Sequence, residues 1–161
     1  ISSFVLQLVP DRLAALREAA RVVEPAGMVS YVTWLDRDSS RPFVPAQEFD
    51  EAVYDLEINE PEGSDEPHAG DVRSGRAATD ELRRAGLVRA SATEEELMYT
   101  WTYEAYLDYK LAYDERALMQ SLDASQKRQL EKTARERLGR LKERDFRWHA
   151  PVVFARGLKP G

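Results

Sequence analysis

The stretch ISSFVLQLVPDRLAALREAARVVEPAGMVSYVTW, residues 1–34, decides the fold of this 161-residue chain. Its apolar run from Ile1 to Val9 is typical of a strand buried on both faces of a parallel sheet. Pro10 and Asp11 open a helix, because proline is tolerated in the first helical turn and an acidic residue suits the N-terminal dipole. A second apolar strand follows from Met28 to Trp34. This order predicts an α/β protein with two parallel strands and a right-handed crossover.

An acidic, proline-rich segment follows at residues 36–73. It contains four of the eight prolines, and Asp55 to Asp71 holds seven acidic residues with no Lys or Arg. Phe49, Val53 and Leu56 are spaced for one or two helical turns inside it. Loops of this length in a compact domain tend to be functional or disordered, so we predict a mobile lid over a binding crevice.

The pattern in the remainder of the chain predicts alternating helices and strands, and it shows no internal repeat and no second domain. Residues 1–161 are therefore expected to form a single domain. Ser74 is expected to cap a helix that ends at Gly86, and residues 99–144 form a region rich in tyrosine and helix. The other predicted elements are strands at 87–92 and 97–101, helices at 102–122 and after Asp123 or Ser125, and a last strand at 151–156.

Composition excludes several classes of function. The net charge of −6 argues against nucleic acid as the main partner, since a phosphate backbone requires a basic surface. No apolar run approaches the ~18 residues needed to span a bilayer. The chain has no cysteine, which excludes disulfides, thiolate metal sites and cysteine nucleophiles, and we predict no metal site. A reducing cytoplasm is the default location for such a protein.

Residues 2–34 resemble a family. Their "VPD", "ALREAARV" and "EPAG" are similar in spacing to the fourth strand, the following helix and the fifth strand of class I S-adenosylmethionine-dependent methyltransferases. The closer resemblance is to the branch that methylates small molecules, including ubiquinone and menaquinone precursors. Residues 81–92, "ELRRAGLVRASA", resemble the helix and sixth strand, and residues 152–160, "VVFARGLKP", the antiparallel seventh strand. The resemblance implies strands 4 to 7 of a Rossmann-like methyltransferase sheet, S-adenosylmethionine as cofactor and a small, apolar or aromatic methyl acceptor.

One motif of that family is absent from the 161 residues. The family holds its cofactor on a glycine-rich loop after its first strand, where glycines allow backbone N–H groups to approach the ligand. No two of the eight glycines here are two positions apart, so no G-x-G exists. We therefore expect the chain to be the C-terminal part of a methyltransferase. The Ile1–Val9 strand would then need cover along its edge, from the N-terminal half or from a second copy.

The resemblance also implies site residues. Ser2, Ser3 and Phe4, with Gln7 just beyond them, are expected near the methionine part of the cofactor. Trp34 at the end of the second strand and Asp36 just beyond it are expected to face the same crevice and contact the acceptor. Core packing of Phe4 and Trp34 remains an alternative.

Aromatic residues near the C-terminal helices suggest an acceptor pocket. Trp101, Tyr103 and Tyr106 are expected to line it, because helical spacing cannot bury every ring of residues 99–113 on one face. Simple packing of the helix is the alternative for each tyrosine. Methyl transfer needs a base only when the acceptor must lose a proton, and neither His68 nor His149 is assigned that role.

Two other classes of function remain open. The first is a non-catalytic binding or dimerisation module that has lost cofactor binding. The second is a methyltransferase of protein substrates, whose acidic segment would bind a basic peptide in a salt-dependent way.

Overall fold

The computed structural model of the protein describes residues 1–36, 42–56 and 68–161. A four-stranded sheet of order β1-β2-β4-β3 runs through it, with β1 parallel to β2 and β4 antiparallel to β2. The predicted α/β class and the antiparallel last strand are therefore confirmed. The strands are β1 (Ser2–Ser3), β2 (Met28–Trp34), β3 (Val88–Thr100) and β4 (Arg147–Leu158). The α-helices are α1 (Arg12–Val22), α2 (Val44–Tyr54), α3 (Gly75–Arg84), α4 (Tyr103–Tyr109), α5 (Arg116–Ser121) and α6 (Ala124–Leu138).

The first strand is shorter than predicted. Only Ser2 and Ser3 pair with β2, and Phe4 then adopts a positive φ of 53°. The Leu8 N–H donates to the Val5 carbonyl at 2.9 Å, which closes a turn. The expectation of a strand over the whole of Ile1 to Val9 is wrong, and so is the long unpaired edge that it implied. The next element follows the prediction, because the Asp11 side chain accepts the Ala14 N–H and caps α1.

The described residues group into two compact units. Unit 1 comprises residues 1–36, 68–97 and 150–161, and unit 2 comprises residues 42–56 and 98–149. The expectation that residues 1–161 fold as one domain stays a prediction.

The core of unit 1 lies where α1 and α3 pack against one face of the sheet. Ser74 caps α3 as predicted by accepting the Ala77 N–H, and Gly86 ends that helix with a φ of 88°. The positive φ explains the glycine, since a Cβ would be strained in this conformation. The fully or nearly buried residues of this core include Leu16, Ala20, Tyr31, Ala78, Leu82, Val153 and Ala155.

The third strand is continuous, whereas the sequence predicted an interruption at Glu94–Glu96. The residues of β3 are mostly exposed, so the three carboxylates are solvated without breaking the strand. Glu94 also accepts the Gly75 N–H at 2.7 Å and thereby ties β3 to the start of α3.

Unit 2 is built from α2, α4, α5 and α6. The predicted helix over 102–122 is present but broken by a π-helical turn at Lys110–Asp114. Asp123 caps α6 in a capping box with Gln126. The core of unit 2 comprises Phe49, Ala52 and Val53 of α2, Tyr106 and Leu107 of α4, Leu118, Leu122, Leu130, Ala134, Leu138 and Phe146.

The predicted lid at residues 36–73 is described only in part. Its apolar spacing is realised as α2, which is longer than the one or two turns expected. Residues 37–41 and 57–67, which include most of the acidic stretch, lie outside the described residues, so the lid stays a prediction. No helix in the described part of the chain is long and apolar enough to cross a membrane.

We expect Tyr31→Phe to change how stability depends on pH. Tyr31 is 2% exposed, its hydroxyl has no hydrogen-bond partner among the described residues, and burial raises its pKa from 10.0 to about 12. The unfolded chain therefore loses this proton first, and the folded state is destabilised as pH rises from 10 through 12. At pH 11 the loss from Tyr31 is about 1.4 kcal/mol.

The measurement is urea denaturation at pH 8 and pH 11. Tyr31→Phe should lose less stability than the parent over this interval, and at pH 8 it should be neutral or stabilising because the lost hydroxyl is unpaired. Tyr54→Phe is the control, since Tyr54 is 81% exposed. Equal losses for the parent and Tyr31→Phe would contradict the prediction.

Candidate functional site

The carboxyl ends of β1 and β2 bring two aromatic rings together. The Phe4 and Trp34 rings are stacked, with centroids 4.1 Å apart and planes inclined by 28°. The positive φ of Phe4 ends the strand, while its N–H still donates to the Val32 carbonyl at 3.0 Å. Both rings are half-buried. One predicted cofactor residue and one predicted acceptor residue are therefore in direct contact.

Gln7 fixes the turn that follows β1. Its Nε2 donates to the Phe4 carbonyl at 2.8 Å, and its Oε1 accepts the Thr33 hydroxyl at 2.8 Å. Gln7 is 8% exposed and Thr33 is fully buried. The Gln7 amide thus joins the backbone of Phe4 to Thr33 of β2. The predicted contact of Gln7 with a cofactor stays a prediction.

The other residues predicted for the cofactor and acceptor site have different environments. Ser2 is half-buried and Ser3 is exposed, both in register with β2. Asp36 is exposed, two residues beyond Trp34, and its N–H donates to the Val72 carbonyl at 2.8 Å. The stacked rings at the carboxyl ends of β1 and β2 have the chemistry to contact a ligand that carries a positive charge beside an apolar part.

The turn is also fixed by residues 68–70. The N–H groups of Ala69 and Gly70 donate to the carbonyls of Val9 and Gln7, and His68 Nδ1 lies 3.0 Å from the Leu8 carbonyl. His68 therefore has a structural contact in this unit. No group of three or more potential metal ligands occurs among the described residues.

Trp101, Tyr103 and Tyr106 lie in the aromatic packing of unit 2. Tyr106 is 4% exposed and its pKa is raised by burial. The Trp101 ring contacts those of Tyr99, Tyr106 and Tyr109 at centroid distances of 4.8, 5.6 and 5.0 Å. Tyr103 packs edge-on against Phe146 at 6.4 Å. The alternative of helix packing is favoured for Tyr106, and an acceptor contact by these three residues stays a prediction.

A groove of about 610 Å³ lies elsewhere in unit 2. It is lined by residues that the sequence did not single out as a site, including Phe43, Met98, Tyr99, Arg144, Arg147 and Trp148. Arg144 belongs to a 3₁₀ helix at Glu143–Phe146, and Arg147 is the first residue of β4. Sequence alone did not predict this change from helix to strand, so no spacing signal linked the two arginines.

The sequence analysis also did not predict that Lys110 would be buried. Lys110 is 6% exposed, and its Nζ donates to Asp114 at 2.7 Å and to Glu115 at 2.6 Å. These two hydrogen bonds raise its pKa against the opposing effect of burial. The same Nζ lies 4.8 Å from the centroid of the Phe49 ring. This cluster satisfies the charge and holds the π-helical turn in its conformation.

No protein-family model matches the chain, and no curated protein does. Solved structures of methyltransferases resemble it. Haemonchus contortus phosphoethanolamine N-methyltransferase 2 with phosphomonomethylethanolamine and S-adenosylhomocysteine is 13% identical, with a TM-score of 0.41 over 99% of this chain and 32% of that chain. A structure of this enzyme with S-adenosyl-L-methionine is 12% identical, with a TM-score of 0.40 over the same shares.

A candidate methyltransferase from Bacillus halodurans is 13% identical, with a TM-score of 0.44 over 99% of this chain and 68% of that chain. The chain thus spans about a third of the length of the Haemonchus enzyme that it resembles. These likenesses are too weak to assign the chain to a family.

Proposed function

We propose that the protein that contains these residues is an S-adenosylmethionine-dependent methyltransferase of class I. The observation that carries this proposal is the Phe4–Trp34 stack at the carboxyl ends of β1 and β2. Ligands of open α/β sheets bind outside the carboxyl ends of the strands. The motif spacing of residues 2–34 supports the same function.

The predicted site residues would contact one part of the cofactor. S-adenosylmethionine supplies a methyl group on a positively charged sulfur, and aromatic faces attract such a charge. Phe4 and Trp34 would offer these faces, and Ser2, Ser3 and Gln7 would lie along the methionine part. Asp36 would face the acceptor beside Trp34. Since methyl transfer is an in-line displacement, positioning by these residues is the main contribution of the protein.

The acceptor in this proposal is a small apolar or aromatic molecule. Its support is the resemblance to the ubiquinone and menaquinone branch and the aromatic content of unit 2, where Trp101, Tyr103 and Tyr106 would take part. The segment 36–73 would act as a lid, and the site of action would be the cytoplasm. The 161 residues contain no G-x-G, so the cofactor loop would come from an N-terminal half of the same protein.

Trp34→Leu tests the function in the gene product that contains this chain. We expect it to weaken S-adenosylmethionine about tenfold, because it removes an aromatic face worth ~1–2 kcal/mol. Calorimetry gives the affinity, and transfer of a labelled methyl group to a panel of quinols and phenols gives the activity.

Two further variants make the test specific. Asp36→Asn should reduce methyl transfer more than cofactor affinity, whereas Asp71→Asn should change neither, since Asp71 is an exposed carboxylate in the same unit. A gene product that folds but neither binds the cofactor nor transfers a methyl group would refute the proposal and favour the non-catalytic binding module. Transfer to basic peptides alone would favour the protein methyltransferase.

A further inference from the structure

The groove of unit 2 is not part of the site proposed for methyl transfer. It has a volume of about 610 Å³, within the range of small-molecule sites, and its walls combine aromatic and basic side chains. We propose that it binds a flat aromatic molecule that carries a carboxylate. The proposal concerns binding alone and does not depend on the methyltransferase function.

The basic side of the groove comes from the 3₁₀ helix at Glu143–Phe146 and the first residue of β4. Phe146 is 3% exposed and anchors this helix in the core of unit 2. Arg144 lies in this helix, and Arg147 follows it directly as the first residue of β4. Both arginines are exposed and both line the groove.

The two arginines are not fully neutralised. Asp145 also lines the groove, but one of its oxygens accepts the Lys142 N–H at 2.9 Å and the other lies 3.8 Å from Arg144 Nε. Among the described residues no carboxylate forms an ion pair with Arg147. A guanidinium presents paired donors that match a carboxylate. The groove therefore offers a site for one negative charge in a protein whose net charge is −6.

Packed rings support the aromatic side of the groove. Tyr99 is 52% exposed, and its ring packs edge-on against Trp101 at 4.8 Å. Trp101 is itself held by the rings of Tyr106 and Tyr109. Since the supporting rings are packed, Tyr99 pays little conformational entropy when a ligand ring contacts it. Met98, which is 67% exposed, adds an adaptable apolar surface.

Three probes separate the contribution of the carboxylate to binding from that of the aromatic ring. We expect 2-naphthoate to bind the 161-residue chain in a saturable way, as followed by its fluorescence. The neutral analogue 2-naphthalenemethanol and the non-aromatic anion acetate should each bind at least about tenfold more weakly. Affinity for 2-naphthoate should also fall as salt is raised.

Variants locate the site. Arg147→Gln should weaken 2-naphthoate about tenfold and leave 2-naphthalenemethanol unchanged. Tyr99→Leu should weaken both naphthalene probes and leave acetate unchanged. Arg140→Gln is the matched control, since Arg140 is exposed and lies outside the groove, and it should bind as the parent does.

Each other outcome overturns the proposal. It fails if no probe binds, if the neutral analogue binds as tightly as 2-naphthoate, or if Arg140→Gln weakens binding as much as Arg147→Gln. Thermal unfolding of each variant checks that it is folded, and loss of binding in a folded Arg147→Gln protein is the supporting result.

Discussion

Replacing Phe49 with alanine is expected to lower the free energy of unfolding by about 3–5 kcal/mol. Phe49 is fully buried at the centre of the unit 2 core, where α2 packs against α6. The substitution removes the transfer free energy of the ring and leaves a cavity that packed neighbours fill only in part. It also removes the ring that faces the ammonium of Lys110 at 4.8 Å, so the buried charge loses a favourable contact.

Tyr54→Ala is the matched control for this prediction. Tyr54 lies on the same helix but is 81% exposed, so its loss should change stability by no more than about 0.5 kcal/mol. Urea denaturation followed by tryptophan fluorescence measures both variants, since Trp101 and Trp148 lie in unit 2. Similar costs for the two variants would show that Phe49 is not a core residue.

The parts of the fold that sequence predicted well depend on local signals. The cap at Ser74, the glycine at position 86 and the strand Met28–Trp34 are all encoded within a few residues of where they act. The start of α6 is likewise encoded locally, since Asp123, one of the two predicted caps, forms a capping box with Gln126.

The parts that sequence predicted poorly depend on contacts between distant residues. The run from Phe4 to Val9 is apolar enough for a strand, yet Gln7 bonds to Thr33, 26 positions away, and favours a turn. The break at Lys110–Asp114 reflects the burial of a lysine beside two carboxylates, which periodicity does not reveal.

The candidate site shows the same division. The family resemblance implied Phe4 and Trp34 as site residues, and the structure places their rings in contact, while their contact with a ligand stays a prediction. The burial of Tyr106 and the formation of a groove beside Arg147 required knowledge of how α2, α4 and the 3₁₀ helix pack, which spacing along the chain does not supply.

The second large effect on stability is expected for an ion pair inside unit 1. Arg12 Nε lies 2.7 Å from Glu81 Oε2, and the two side chains are only 8% and 17% exposed. A second nitrogen of Arg12 donates to the Gly70 carbonyl at 2.6 Å. The pair thus joins the start of α1 to α3 and to the segment that holds the turn after β1. Removing one partner leaves an uncompensated charge in a dry environment, which is costly.

Arg12→Met is therefore expected to lower the free energy of unfolding by about 3–5 kcal/mol. The double variant Arg12→Met/Glu81→Leu should recover most of this loss, because it removes the stranded carboxylate and replaces the pair with apolar groups. Arg21→Met is the matched control on the same helix, since the Arg21–Glu18 pair is 69% and 61% exposed and is worth about 0–1 kcal/mol. Denaturant unfolding of the parent, Arg12→Met, Glu81→Leu and the double variant gives the coupling energy between Arg12 and Glu81. A cost for Arg12→Met no larger than that for Arg21→Met would show that water reaches Glu81, and the tie between α1 and α3 would then rest on apolar packing alone.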